Sequence, residues 1–345
     1  MAHLAQRIAA AGPLSVAAYM EEALFHPRWG YYATRDPLGA RGDFITAPEI
    51  SQVFGELIGL WCVDLWQRMG TPDPVLLVEL GPGRGTLMRD ALRAARLVPD
   101  FVRAARLHLV ERSPVLRAAQ ERALGTTAQW HDDLSGVPRG PMLLVANEFL
   151  DALPIRQFVR GADDWRERVV TLSDGALSFA DAPTAEALGD AEAGAVRETR
   201  PAARALARDL AARLASDSGA ALFIDYGYWP SACGDTLQAV RRHRPHQVLA
   251  EPGTADLTAH VDFADFAAAA QSAGARAWGP VPQGVFLDRL GIEARAARLI
   301  AMASAEQAHL IRSGCRRLVD PAEMGRLFKV LALTHPSCPA PAGFA

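Results

Sequence analysis

The chain has 345 residues, half of them apolar and 22% charged, with a formal net charge of −3. That length suits one large domain or two modest ones with an ample core, and the charge gives no general reason to expect a nucleic-acid partner. The four cysteines, Cys62, Cys233, Cys315 and Cys338, are far apart and make no CxxC or Cys/His ligand spacing, and no apolar run reaches membrane-spanning length, so neither a metal site nor membrane insertion is expected. The N-terminus lacks the charged start and continuous apolar stretch of a signal peptide and holds one arginine in its first twenty residues. It reads as that of a cytoplasmic protein.

Taken in chain order, Val16, Tyr19, Met20, Ala23 and Leu24 recur at helical spacing, and Pro27 and Gly30 end that helix. A Gly- and Pro-rich loop, "TRDPLGARGDFITAPEI", leads to "SQVFGELIGLWCVDLWQRM", whose apolar residues are again helically spaced behind Ser51 as a cap. Residues 1–70 therefore form a helical and loop cap. From residue 71 strand and helix alternate: "VLLVEL", a "GPGRG" turn, "TLMRDALRAARL", then "RLHLVE" and "SPVLRAAQERAL". "TTAQWHDD" is a weaker third strand and "PMLLVANE" a fourth, so a parallel, doubly wound α/β sheet is expected over 71–345. Insertions are placed at about 155–215, with antiparallel strands followed by a helical stretch near 183–214, and at about 282–322, mainly helical. "GAALFIDYG", "ARAWGP" and "RLFKVLALTHP" return to the sheet.

Gly81, Gly83 and Gly85 stand directly after a strand and before a helix, where a ligand can approach bare backbone. A dinucleotide fingerprint needs G-x-G-x-x-G, and the third glycine position is Thr86, which weakens a nicotinamide-dependent oxidoreductase reading. Glu79, two residues before the first glycine, suits a cationic ligand better than a pyrophosphate. S-adenosylmethionine, with its amino group and sulfonium, has that sign of charge. Glu111 ends the second strand, where a carboxylate can accept bonds from both ribose hydroxyls, as it also would in an NAD enzyme. Asp132 and Asp133 follow the third strand, either to receive the adenine amino group or to cap a turn.

"ELGPGRGTL", "GDFITAPEISQVFGELIG", "NEFLDALP", "DYGY", "LTAHVDF" and "GVFLDRLGI" together resemble the MidA family of class I S-adenosylmethionine-dependent methyltransferases, relatives of a mitochondrial complex I assembly factor. The resemblance runs from about Gly12 to Leu333. It implies a seven-stranded, mostly parallel Rossmann-like sheet with inserted antiparallel and helical parts. It also implies S-adenosylmethionine as cofactor and, for the mitochondrial relative, symmetric dimethylation of an arginine on a complex I core subunit. A non-catalytic assembly factor that keeps the pocket is the alternative.

An arginine brings a positive guanidinium toward a positive sulfonium, and carboxylates that grip it would offset the repulsion and fix its plane. In arginine methyltransferases generally, paired acids after the fourth strand do this. Glu148 and Asp151 are the expected clamp here, with Asn147 nearer the cofactor. The acids lie closer together than usual, which sets Asp151 against an alternative role as an N-terminal helix charge. His260, in "LTAHVDF", is expected to steady the clamp or take a proton. Asp43, Thr46, Pro48, Glu49, Ser51 and Gln52 belong to a loop that covers the cofactor or lines the substrate channel, or else caps a helix that packs on the sheet.

Overall fold

The computed structural model describes residues 2–35, 39, 42–43, 45–125 and 128–344. Parts of the loop ahead of Thr46 and the start of the expected third strand lie outside them. The strands that carry the site are numbered β1 (Val75–Leu80), β2 (Ala105–Val110), β3 (Gln129–His131), β4 (Met142–Asn147), β5 (Gly219–Tyr228), β6 (Arg276–Pro282) and β7 (Phe328–Thr334). They lie side by side in the order β3-β2-β1-β4-β5-β7-β6, with the two-residue strand Val261–Asp262 beside the end of β5. β3, β2, β1, β4 and β5 are parallel, and β7 runs antiparallel to both of its neighbours. The fold is mixed α/β on a mostly parallel sheet.

Period-two alternation decides which residues face which layer. Leu77, Leu107, Leu109, Leu143, Val145 and Leu222 face one core with Phe54, Ile58 and Trp61 from the helix Gln52–Arg68. Their neighbours Leu76, Val78, Leu144, Ala221 and Phe223 face the other, against Leu210 and Leu214 of the helix Pro201–Asp217 and Phe266 of the helix Phe263–Ser272. With both faces covered, β1 and β4 read as unbroken apolar runs. The exceptions are Glu79, buried in β1, and Asn147, at the end of β4.

A second, antiparallel sheet joins Arg156–Arg160, Trp165–Ser173, Ala176–Pro183 and Val196–Thr199. The helical expectation for 183–214 is corrected here. Pro183, Gly189 and Gly194 break that stretch, and Val196–Thr199 pairs with Arg156–Val159, so the helix starts only at Pro201. The N-terminal segment docks on this sheet: Leu14 and Ser15 pair with Val170 and Val169, and Val16, Tyr19, Met20 and Leu24 pack against Ile155, Val170 and Leu257.

Candidate functional site: a cavity at the strand ends

The C-terminal ends of the parallel strands open into one cavity of about 1350 Å³. That exceeds the roughly 300–1,000 Å³ of an ordinary small-molecule pocket and leaves room for two ligands. Among its described lining residues, carboxylates outnumber arginines ten to two. A cavity with this sign of charge favours a cation.

The first end is built around the glycine turn. Gly81, Gly83 and Gly85 have φ of 60°, 54° and 80°, the left-handed region that glycine adopts freely. A Cβ on Gly81 would also lie 2.8 Å from Cδ2 of Phe149. Gln120 braces the turn: its amide donates to Gly83 O at 2.8 Å and to Glu111 Oε2 at 3.4 Å, and its Oε1 accepts from Trp130 Nε1 at 2.8 Å. Glu111 Oε1 accepts from Ser113 N at 2.8 Å, so the carboxylate at the end of β2 is held from two sides. Burial raises its pKa, against these hydrogen bonds. Asp132 pairs with Arg117 at 2.6 Å and is otherwise exposed, while Asp133 caps the turn Leu134–Gly136 through Ser135 N at 2.8 Å. Both stand at the cavity edge.

The second end gathers acids. Glu148 follows β4 and donates its N–H to Ile224 O at 2.8 Å, and its Oε1 accepts from Ala47 N and Asn147 Nδ2, both at 3.2 Å. Burial, then the Asp151 charge, pushes Glu148 up to about 7. Asp151 is pushed up to about 6 by burial, against a hydrogen bond from the Tyr226 hydroxyl. Asp256 is pushed up to about 8 by burial and by Asp151, although Tyr32 donates to its Oδ1 at 2.8 Å. These shifts share one cause: desolvation favours the neutral acid until a cation arrives to repay ionisation.

Among the described residues, three buried side-chain oxygens of the cavity wall have no hydrogen-bond partner: Glu79 Oε2, Asn147 Oδ1 and Asp151 Oδ1. All are acceptors, so the missing partners are donors. Burial also lifts Glu79 to about 8. The ammonium of S-adenosylmethionine supplies donors and a positive charge, and the cavity's own residues fit it.

The remaining expected residues are placed as follows. His260 lies on the wall with its ring edge-on to Tyr226 at 5.4 Å, and burial lowers its pKa, which keeps it neutral. Its backbone is held by Thr236 Oγ1, which accepts from its N–H at 3.0 Å, and by Arg200, which donates to its carbonyl. Thr46, Pro48 and Glu49 line the cavity, and Glu49 accepts from the Thr86 hydroxyl beside the glycine turn. Ser51 instead caps the following helix at Val53 N, 3.3 Å away, and Gln52 is exposed on that helix. Asp43 is buried, accepting from the Tyr31 hydroxyl at 2.7 Å and from Arg242 N at 2.7 Å. Asp225, Tyr226, Asp256, Tyr32 and Gln120 complete the wall or its support without having been singled out in the sequence. Asp225 had the same signal as Glu148, an acid at the mouth of a buried strand. Asp256 and Tyr32 carry no local signal.

Residues 57–281 match a family of S-adenosyl-L-methionine-dependent methyltransferases. The chain belongs to this family. Over 96% of its length the methyltransferase is 41% identical to the protein arginine methyltransferase NDUFAF7 homolog, mitochondrial, of Drosophila melanogaster, covering 83% of that protein. It is 37% identical to the human protein arginine methyltransferase NDUFAF7, mitochondrial, again over 96% of this chain and 82% of the relative. Its backbone also superposes on a Burkholderia thailandensis crystal structure bound to S-adenosyl-homocysteine, with a TM-score of 0.86 and 32% identity, covering 99% of this chain and 93% of that one. S-adenosylmethionine is thus the cofactor of this methyltransferase. The expectation of a cytoplasmic protein is overturned, because these curated relatives are mitochondrial proteins by name. It rested on the lack of a signal-peptide pattern at the N-terminus, which does not decide the compartment. No helix among the described residues is long and apolar enough to cross a membrane.

Proposed function

We propose that this methyltransferase transfers methyl groups to an arginine side chain of a protein, in the symmetric dimethyl pattern, with a respiratory complex I core subunit as the first substrate to test. The observation that carries this reading is the pair Glu148, half-buried, and Asp151, buried, both raised toward neutrality, one with an unpaired oxygen, in the cavity shared with the glycine turn. The names of the arginine methyltransferase relatives support the substrate class. We also read the seven in-line strands as the class I methyltransferase sheet, with residues 1–70 as its cap and the stretches at about 155–215 and 282–322 as insertions.

When bound, S-adenosylmethionine supplies a transferable methyl on a sulfonium. Glu79, Asn147 and the glycine turn would hold its amino-acid part, and Glu111 its ribose. Glu148 and Asp151 would hold the guanidinium plane and offset its charge. On methylation the substrate nitrogen would shed a proton, which ionised Glu148 would take. His260, kept neutral, packs edge-on against Tyr226, whose hydroxyl engages Asp151. Thr46, Pro48 and Glu49 close the wall toward the glycine turn.

The test is direct. Calorimetric titration with S-adenosylmethionine should show binding, and mass spectrometry of complex I from cells with and without this protein should show a doubly methylated arginine only in the former. Cofactor binding with no methylarginine would favour a non-catalytic assembly role.

A further inference from the structure

The turn that presents Glu148 and Asp151 has a backbone that must be held. Glu148 has φ of 50°, a left-handed conformation that side chains with a Cβ seldom adopt. After it, three consecutive N–H groups point the same way. Phe149 N, Leu150 N and Asp151 N all donate to Oδ2 of Asp225, at 3.1, 2.9 and 3.2 Å. Its other oxygen accepts from Tyr226 N at 2.9 Å. Successive N–H groups converging in this way form an anion nest, here filled by a carboxylate of the same chain.

Register brings this about. Ile224 of β5 pairs with Asn147 of β4, and Ile224 O takes the Glu148 N–H, so the next residue of β5 lies level with the turn. Asp225 is 1% exposed and lies among like charges. Burial, with Asp151 and Glu148 nearby, raises its pKa, and the N–H groups work against that rise. A group merely filling space would not be a carboxylate there. Tyr226, the next residue, turns its hydroxyl to Asp151. Adjacent residues of one strand thus hold the backbone of the turn and one of its acids.

We propose that Asp225 is a positioning residue of the transfer site: by gathering three backbone N–H groups it fixes the left-handed turn at Glu148 and so the direction in which that carboxylate points. The proposal rests on reading Glu148 and Asp151 as the substrate clamp, and its test separates the two. In Asp225→Asn, one amide oxygen remains for the three donors, while the amide NH₂ faces Tyr226 N, a donor that it cannot satisfy.

Two readouts are taken on S-adenosyl-homocysteine-bound protein and on methyl transfer from labelled S-adenosylmethionine to complex I purified from cells lacking this protein. Asp225→Asn should bind S-adenosyl-homocysteine within about 3-fold of the parent, lose about 30-fold or more in kcat and change KM by less than about 3-fold. Amide exchange at Phe149, Leu150 and Asp151 should quicken by about 10-fold or more. If Asp225→Asn does not fold, Asp225→Ser, which keeps one acceptor, is read in the same way. Parent-like exchange at the three amides overturns the proposal, whatever happens to transfer. So does parent-like kcat when Glu148→Gln is inactive in the same assay. If Glu148→Gln transfers as well as the parent, or the parent itself transfers nothing, the clamp or the substrate reading fails, and amide exchange still decides the role of Asp225.

Discussion

The two ends of the cavity are built by opposite means. The end we propose for the cofactor comes from neighbouring strand ends between Glu79 and Asp133, each a short motif. The end we propose for the substrate is assembled from distant segments: Tyr32, Thr46 to Glu49, Glu148 to Asp151, Tyr226, Asp256 and His260. The first end is a glycine turn braced by Gln120, with one buried acid, Glu79, left with an unpartnered oxygen. The second is a set of buried acids that partly repel one another. Catalytic sites commonly concentrate such cost in one place and leave recognition of the common cofactor to the scaffold.

That contrast can be broken most forcefully at the turn. Gly81→Val places a β-branched residue at φ 60° with its Cβ against Phe149, and it should weaken S-adenosyl-homocysteine binding by about 100-fold or more in calorimetry. Binding close to that of the parent would mean that the turn is not the cofactor end. Glu148→Gln should do the reverse, keeping the cofactor affinity within about 3-fold while transfer falls by about 10²–10⁴-fold.

Asp256→Asn probes the far wall. KM for the protein substrate should rise by about 10-fold with kcat nearly unchanged, and the Tm of the cofactor-free protein at pH 8 should rise by about 2–4 °C. A lowered Tm would show that Asp256 serves the fold rather than the ligand.

The pH responses of the two properties should have opposite signs. Glu148, Asp151, Asp256 and Glu79 are raised to about 7, 6, 8 and 8, so the folded state binds more protons than the unfolded chain between the ordinary carboxylate range and those values. Stability of the cofactor-free protein is therefore greatest on the acid side of that window and declines as pH rises through 6 to 8. With Glu148 as the proposed proton acceptor, transfer should climb as pH rises through about 7. Melting curves and initial rates across this window measure both. Asp132→Asn should have the smallest effect. Its carboxylate is exposed and paired with Arg117, so cofactor affinity should change by less than about 2-fold.

The same contrast explains what the sequence reveals. Period-two runs and turn glycines act over a few residues, so β1, β4, the glycine turn and Glu111 can be read directly. Glu148 and Asp151 are visible because acids are out of place beside an apolar strand. Asp225 gives that same sign, but its role depends on register between β4 and β5, which no local pattern encodes. Asp256 and Tyr32 meet only because the cap folds across the sheet. The stretch near 183–214 looks helical by composition, and strand pairing of Val196–Thr199 with Arg156–Val159 overrides it.

The pairing of Leu14 and Ser15 with Val170 and Val169 also bears on how the protein is made. A ribosome releases the cap first and its docking strand much later. Until Ile155, Val170 and Leu257 emerge, the apolar stripe of Val16, Tyr19, Met20 and Leu24 lacks its partners from the rest of the fold. This segment is thus made well before the strand it docks on, and through Tyr32 it supplies part of one wall of the cavity.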